Sequence, residues 1–300
     1  MRSIREIAGC CAGAMIFFAT CSSAQQSQGV TDQSHYLKSS DITYAVVDGR
    51  ELKLDLYLPT DTADPPLLVW VHGGAWQRGS KETVYTTDFV KDGYAIASIE
   101  FRNSVDAVFP AQVHDIKAAI RFLREMAATY GYDATRIGIH GRSSGAHLTS
   151  LVGVTNGHEG LEGEVGEHLD QSSDVQAIVS YFGASNLNSI LDQSTPFGLS
   201  ERAPALELLL GGPVEERREL AALASPVSHI DAADPPLLIL HGDQDPDMPI
   251  NQSHELHGAY KRHGLPVHFE VIHGAGHGGE PFFDSERNAM VLFFLNESLR

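Results

Sequence analysis

Apolar and polar positions alternate with different periods along this chain, and each change of period predicts an element. Leu52, Leu54, Leu56 and Leu58 fall on every second position, which predicts a strand with one buried face. A second apolar run, Ile42 to Val47, lies on the other side of Asp48-Gly49, a two-residue hairpin signal. Apolar runs follow at Leu67–Val71 and Tyr94–Ile99, a short strand at Arg136–His140, and further strand candidates at Val175–Phe182, Leu237–Leu240 and Val267–Ile272. Between them the period lengthens. Val113, Ile116, Ile120, Leu123 and Ala127 share one helical face within Gln112–Tyr130, which Gly131 ends. Helices are also expected over Thr83–Lys91, Ala146–Val152, Gln252–Arg262 and Phe282–Leu299. Strands alternating with helices predict an α/β fold, a mostly parallel sheet covered on both faces, with the opening hairpin as an antiparallel edge. Functional loops of such a sheet belong at the carboxyl ends of its strands. The segment Ala184–Ala233 breaks the rhythm with four prolines and a leucine-rich turn at Leu206–Leu210. It reads either as a small cap over the strand ends or as a decorated surface loop.

Composition adds an address. The chain has 300 residues, 42% of them hydrophobic, which suits one domain over residues 41–300. Residues 1–24 have the three parts of a secretory signal peptide: basic Arg2 and Arg5, the apolar run Ile7–Cys21, and Ser22-Ser23-Ala24 before Gln25. Export to the periplasm or medium is therefore expected. An uncleaved anchor and lipidation at Cys10 or Cys21 are the alternatives. Residues 25–40 are polar and read as a flexible lead-in. All three cysteines (Cys10, Cys11 and Cys21) lie in the leader, so cleavage would leave no disulfide, thiolate ligand or cysteine nucleophile. A formal net charge of −18 argues against nucleic-acid and anionic-membrane partners. Oligomeric state is not legible.

The residues that carry chemistry sit after the predicted strands. Gly141-Arg142-Ser143-Ser144-Gly145 follows one strand and opens a helix, the context a nucleophile elbow needs. A serine hydroxyl is a weak nucleophile and requires a base, and the base an orienting acid. After Leu237–Leu240 come Asp243, Asp245 and Asp247. Asp245 is the expected acid, placed far enough past the strand end to reach across, with an Asx turn as the competing reading for all three. After Val267–Ile272, His277 lies on a glycine-rich loop and is the expected base, while His273 at the strand boundary reads as structural. His72-Gly73-Gly74-Ala75-Trp76 follows Leu67–Val71. The backbone amides of Gly74, Ala75 and Ser144 are the expected oxyanion donors, against a plain Gly-Gly turn.

Other candidates are weighed more lightly. His254-Glu255-Leu256-His257 spaces its histidines by three rather than four, so no metal is expected and the two are read as solvated. His72, His140 and His147 are expected to satisfy local hydrogen bonds. Trp76, Tyr181 and Phe182 read either as core packing or as an apolar, aryl-binding wall for substrate.

These segments, with Phe109-Pro110-Ala111-Gln112, Pro235-Pro236-Leu237 and Gly274-Ala275-Gly276-His277-Gly278, resemble α/β-hydrolase esterases of the acetyl-hydrolase and hormone-sensitive-lipase-like branch. The likeness to members with a His-Gly-Gly-x-Trp oxyanion segment, including feruloyl- and acetyl-esterase-like ones, spans nearly all of residues 41–300. It implies the triad Ser143, Asp245 and His277, hydrolysis without a cofactor, and a small-molecule or saccharide ester as substrate. Ala75 where relatives often carry Gly, and Ser144-Gly145-Ala146 where they often carry Ala-Gly-Gly, bear on pocket shape rather than on backbone donors. An amide or peptide hydrolase (formamidase-like) with the same triad and a non-catalytic binding protein on the same fold are the alternatives.

Overall fold

The computed structural model describes residues 35–299, so the expected leader and most of the lead-in lie outside the described residues. Eight strands form one sheet: β1 (Tyr36–Val47), β2 (Arg50–Pro59), β3 (Pro66–Val71), β4 (Ala95–Ile99), β5 (Asp133–Arg142), β6 (Ala177–Tyr181), β7 (Leu237–Gly242) and β8 (Val267–Ile272). Their order is β1-β2-β4-β3-β5-β6-β7-β8. The β1–β2 and β2–β4 pairs are antiparallel and every later pair is parallel. The hairpin at Asp48-Gly49 turns with φ of 50° and 79°, the left-handed geometry that matches strand twist. The α/β architecture with an antiparallel edge is therefore as the periodicity predicts. β1 starts earlier than expected: residues 36–40, assigned to a flexible lead-in, pair with β2 from Tyr36 opposite Pro59.

Nine helices pack around the sheet among the described residues: α1 (Ala111–Glu125), α2 (Ala127–Tyr130), α3 (Ser144–Gly153), α4 (Glu159–Glu162), α5 (Ile190–Gln193), α6 (Pro196–Leu210), α7 (Arg218–Leu223), α8 (Asn251–Arg262) and α9 (Ser285–Ser298). The central strands are buried on both sides, as their continuous apolar runs require. One face packs Val69, Ile139, Ile178 and Ile239 against Ile116, Ile120 and Leu151. The other packs Trp70, Val179, Tyr181 and Leu240 against Phe282, Val291 and Leu295.

Three expectations are corrected. The helix over Thr83–Lys91 is reduced to a short 3₁₀ segment at Thr87–Asp92. The Lys81 and Thr83 carbonyls accept from Ser98 Oγ (2.7 Å) and Trp70 Nε1 (2.7 Å), which ties this stretch to the sheet instead of into a helical ladder. The long helix from Gln112 is divided at Met126, where Tyr132 Oη takes the Leu123 carbonyl at 2.5 Å. The leucine-rich turn at 206–210 is instead the last part of α6. Thr195 Oγ1 caps the Gly198 amide at 3.0 Å, Pro196 sits in the first turn, and Gly211 ends the helix at φ 68°.

Candidate active site

Because β3 and β5–β8 run parallel, the segments that leave their carboxyl ends meet on one edge of the sheet. The turn from β5 into α3 holds Ser143 at φ 53°, ψ −125°, with its amide donating to the Tyr181 carbonyl (2.9 Å). A non-glycine residue in this region stores on the order of 1–3 kcal/mol of strain, maintained here by the surrounding packing. The flanking glycines are sterically required. A Cβ at Gly145 would lie 2.3 Å from the Val71 oxygen and 2.4 Å from that of His72, and one at Gly141 2.7 Å from Val71 O. The elbow is thus pressed against the end of β3, where the expected oxyanion segment begins.

Asp245 and His277 arrive from the next loops. Asp245 is enclosed and divides its oxygens between two tasks. Oδ1 accepts the amides of Asp247 and Met248 (both 2.8 Å), and Oδ2 accepts His277 Nδ1 (2.7 Å). The Asx turn and the contact to His277 that the acid role requires, competing readings of the sequence, are both present on one side chain. Burial alone pushes the Asp245 carboxyl up. Hydrogen bonds from His241 and His277 and from the Met248 amide outweigh it and hold the carboxyl well below the usual carboxylate range. With Nδ1–H donating to Asp245, His277 Nε2 is free to accept from Ser143 Oγ, 2.9 Å away. His277 is 18% exposed, so the dyad opens to a pocket while the acid stays dry.

The segment after β3 turns sharply: Gly74, Ala75 and Trp76 have φ of 133°, 54° and 61°. A Cβ at Gly74 would sit 2.0 Å from the Arg78 oxygen. The amides of Gly74, Ala75 and Ser144 have no protein acceptor among the described residues, and all three residues line the pocket that contains Ser143. Ser144 also stands at the amino end of α3, where the helix dipole favours negative charge. The Trp76 indole N–H donates to His147 Nδ1 (3.0 Å), and His147 Nε2–H in turn donates to the Ala224 carbonyl (2.7 Å). Burial pushes His147 down to about 4, so it remains neutral and keeps the Trp76 turn tied to α3.

The pocket has a volume of about 210 Å³ and mixes small, apolar and charged walls. Trp76 contributes to its lining although only 2% exposed. Tyr181 and Phe182 do not line it, which corrects their reading as a substrate wall. Tyr181 is buried against Phe283 on the far side of the sheet, because alternation along β6 turns it inward. Phe182 is buried with its ring 4.8 Å from that of His277, edge to face, and 4.6 Å from Phe282. It backs the imidazole rather than meeting a ligand. Asp243 accepts His273 Nδ1 (2.8 Å) at the surface, apart from His277.

His72 donates to the Gly73 carbonyl (3.0 Å) and stacks on Phe101. His140 departs from expectation: neither ring nitrogen has a partner, and the ring packs edge-on against Trp70. His254 and His257 lie against Phe269.

Two contributors were missed. His241, at the end of β7, donates from Nε2 to Met248 O (3.0 Å), sits 3.3 Å from Asp245 Oδ2, and takes the Ser253 hydroxyl at Nδ1 (2.6 Å). Its position immediately before Gly242-Asp243 was the available signal. Arg202, on α6, also lines the pocket. Thr195 Oγ1 donates to the Pro246 carbonyl (3.0 Å) and so fixes α6 over the acid loop. The segment 184–233 is therefore a cap that contributes Glu201, Arg202 and Ala205 to the site.

Comparison with known proteins gives a family match to BD-FAE over residues 54–260. Esterase LipQ of Mycobacterium tuberculosis is 32% identical over 237 residues, covering 76% of this chain and 53% of its own. The chain spans about half the length of the curated relatives it matches. A truncated carbohydrate esterase from gut microbiota superposes with a TM-score of 0.81 at 32% identity, covering 89% of this chain and 98% of that one. The butyrate-bound esterase Est2 of Thermogutta terrifontis superposes with a TM-score of 0.70 at 25% identity, covering 89% and 95%.

Proposed function

The chain belongs to the BD-FAE family of α/β-hydrolases, and from that premise we propose that it hydrolyses carboxylic esters through an acyl-enzyme on Ser143. The observation that carries this reading is the continuous relay Ser143–His277–Asp245, at 2.9 and 2.7 Å, opening beside three amides that have no acceptor among the described residues. Ser143 Oγ attacks the ester carbonyl as His277 Nε2 takes its proton, and Asp245 stabilises the resulting imidazolium. The amides of Gly74, Ala75 and Ser144 receive the oxyanion, and each such donor contributes about 3–4 kcal/mol to the transition state. His277 then protonates the leaving alcohol. Water, deprotonated by the same imidazole, releases the acid.

The pocket supports a short acyl group on a polar alcohol. Its volume is about 210 Å³ and its walls include Arg78, Arg142, Glu201, Arg202 and Asp247. No row of aromatic side chains lines it, which favours acetyl or another small acyl group over feruloyl. The carbohydrate esterase and the butyrate-bound esterase among its structural relatives support a saccharide or small-acid ester. Export before action is part of the proposal and is checked by sequencing the mature amino terminus. The test of the chemistry is hydrolysis of 4-nitrophenyl esters from acetate to laurate, beside matched anilides and a Ser143→Ala control. Peak activity at acetate or butyrate, absent in the variant, is expected. A maximum at long chains, a preference for anilides, or undiminished activity in Ser143→Ala would overturn it.

A further inference from the structure

The pocket beside Ser143 is richer in cations than the chain as a whole. Against a formal net charge of −18, its walls carry Arg78, Arg142 and Arg202, with only Glu201 and Asp247 opposing them. None of the three guanidinium groups has a carboxylate oxygen within 4.0 Å among the described residues. Arg202 is the telling one. It is 7% exposed, its Nε has no protein acceptor, and Nη1 meets only the Met248 sulfur at 3.7 Å, a weak acceptor. A buried cation in this condition is costly unless a partner reaches it. Asp245 and Asp247 attract it through space, but neither forms an ion pair with it, and Asp245 is already committed to His277, His241 and two amides.

The position of Arg202 is also built in. Thr195 caps α6 and binds the Pro246 carbonyl, so the helix is held about two turns before the arginine. Arg142 lies over the Tyr85 ring, its guanidinium carbon 4.7 Å from the ring centre, and is the last residue of β5 before the elbow. We propose that Arg202, assisted by Arg142 and Arg78, forms an anion subsite that receives a carboxylate carried by the ester substrate. The inference rests on the reading of this pocket as an ester-hydrolase site and narrows its substrates to acidic esters. A carboxylate accepts two parallel N–H bonds from a guanidinium, which fixes the orientation of the molecule as well as its charge. Glu201 and Asp247 then serve as acceptors for hydroxyl groups, so a uronate sugar satisfies both signs of the lining. A free carboxylate on the acyl part, as in a hemisuccinate, offers the same group from the other side.

The test has a binding arm and a rate arm. In the Ser143→Ala background, calorimetric titration with sodium galacturonate, sodium succinate and galactose reads the subsite without catalysis. At least one acid is expected to bind about tenfold or more tightly than galactose, a difference that Arg202→Gln removes and Arg202→Lys partly keeps. In the active enzyme, acetylated methyl galacturonate is compared with acetylated methyl galactoside, and 4-nitrophenyl hemisuccinate with 4-nitrophenyl butyrate. The pair that favours its acidic member identifies which part of the substrate carries the carboxylate. The advantage is expected in KM and to fall about tenfold or more in Arg202→Gln, with Arg142→Gln lowering the same ratio. No discrimination in either pair, or equal losses on acidic and neutral members, would overturn the subsite while leaving ester hydrolysis intact. Retained binding of the acid with no ester cleaved would do the reverse.

Discussion

Asp245→Asn isolates the charge of the acid from its shape. The asparagine oxygen can still accept the Asp247 and Met248 amides, so the turn that carries the residue is preserved. What is lost is the negative oxygen 2.7 Å from His277 Nδ1. At an effective dielectric of about 20, unit charges about 4 Å apart interact by about 4 kcal/mol, and that stabilisation is felt only when His277 becomes an imidazolium. The charge alone is therefore worth about 10³ in rate. The asparagine amide facing Nδ1 also favours the tautomer that carries its proton on Nε2, which blocks acceptance from Ser143 and brings the loss to about 10⁴. The measurement is kcat/KM on 4-nitrophenyl acetate, with a thermal melt to establish folding. Asp243→Asn is the control, because Asp243 pairs with His273, which is 84% exposed and makes no contact with the relay, while an asparagine oxygen can still accept the Gly274 amide, and its loss is expected to stay within a few-fold. A folded Asp245→Asn protein that loses less than about tenfold would refute the electrostatic reasoning.

Three further perturbations test the scaffold. Gly145→Ala places a Cβ 2.3 Å from a backbone oxygen of β3, so the elbow must shift, and kcat is expected to fall about 100-fold or more together with a lower Tm. Burial pushes His140 down to about 3 and His147 to about 4, so both bind protons in the unfolded chain before the folded one. Stability is therefore expected to fall as pH drops below about 6.5, by about 1.4 kcal/mol per pH unit for each histidine until its folded value is reached; His140→Phe removes one share and, by deleting two unpartnered nitrogens, raises stability at neutral pH by about 1–3 kcal/mol in urea titrations. Arg102→Ala strips the bidentate partner (2.7 and 2.9 Å) from the fully buried Asp115, and denaturation should show a loss of about 3–5 kcal/mol.

The middle of the sheet was legible because its central strands are buried on both faces and so appear as near-continuous apolar runs. The relay was legible for a related reason. Ser143, Asp245 and His277 each follow a parallel strand within a few residues, and parallel strands deliver their carboxyl ends to one edge. A position in sequence becomes a position in space with few intervening degrees of freedom. Thr83–Lys91 misled because its fate is decided by donors reaching in from elsewhere: Trp70 claims the Thr83 carbonyl and Ser98 that of Lys81 just before it. Leu206–Leu210 misled because Pro204, in the interior of α6, outweighed two sound boundary signals, Thr195-Pro196 and Gly211.

Side chains that reach the site from the cap follow a different logic. Arg202 lies in a stretch with no motif, and nothing near it in sequence distinguishes it from a solvated arginine. Its burial arises from three long-range contacts: Thr195 binding Pro246, Gly198 packing so that a Cβ there would lie 2.9 Å from that same carbonyl, and the Met248 sulfur meeting the guanidinium from the turn that Asp245 holds. The residue that orients the base thus also shapes the floor on which the cap rests. Tyr181 and Phe182 make the converse point. They sit at a strand end, where an aromatic wall would be expected, yet the alternation of β6 and the turn after it point both rings into the core, one toward Phe283 and one behind His277. Chemistry fixed by strand ends is open to sequence reading. Under the proposed function, specificity follows from how the cap docks on the acid loop, and the charged side chains of the lining, rather than an aromatic surface, are what the pocket would offer a substrate.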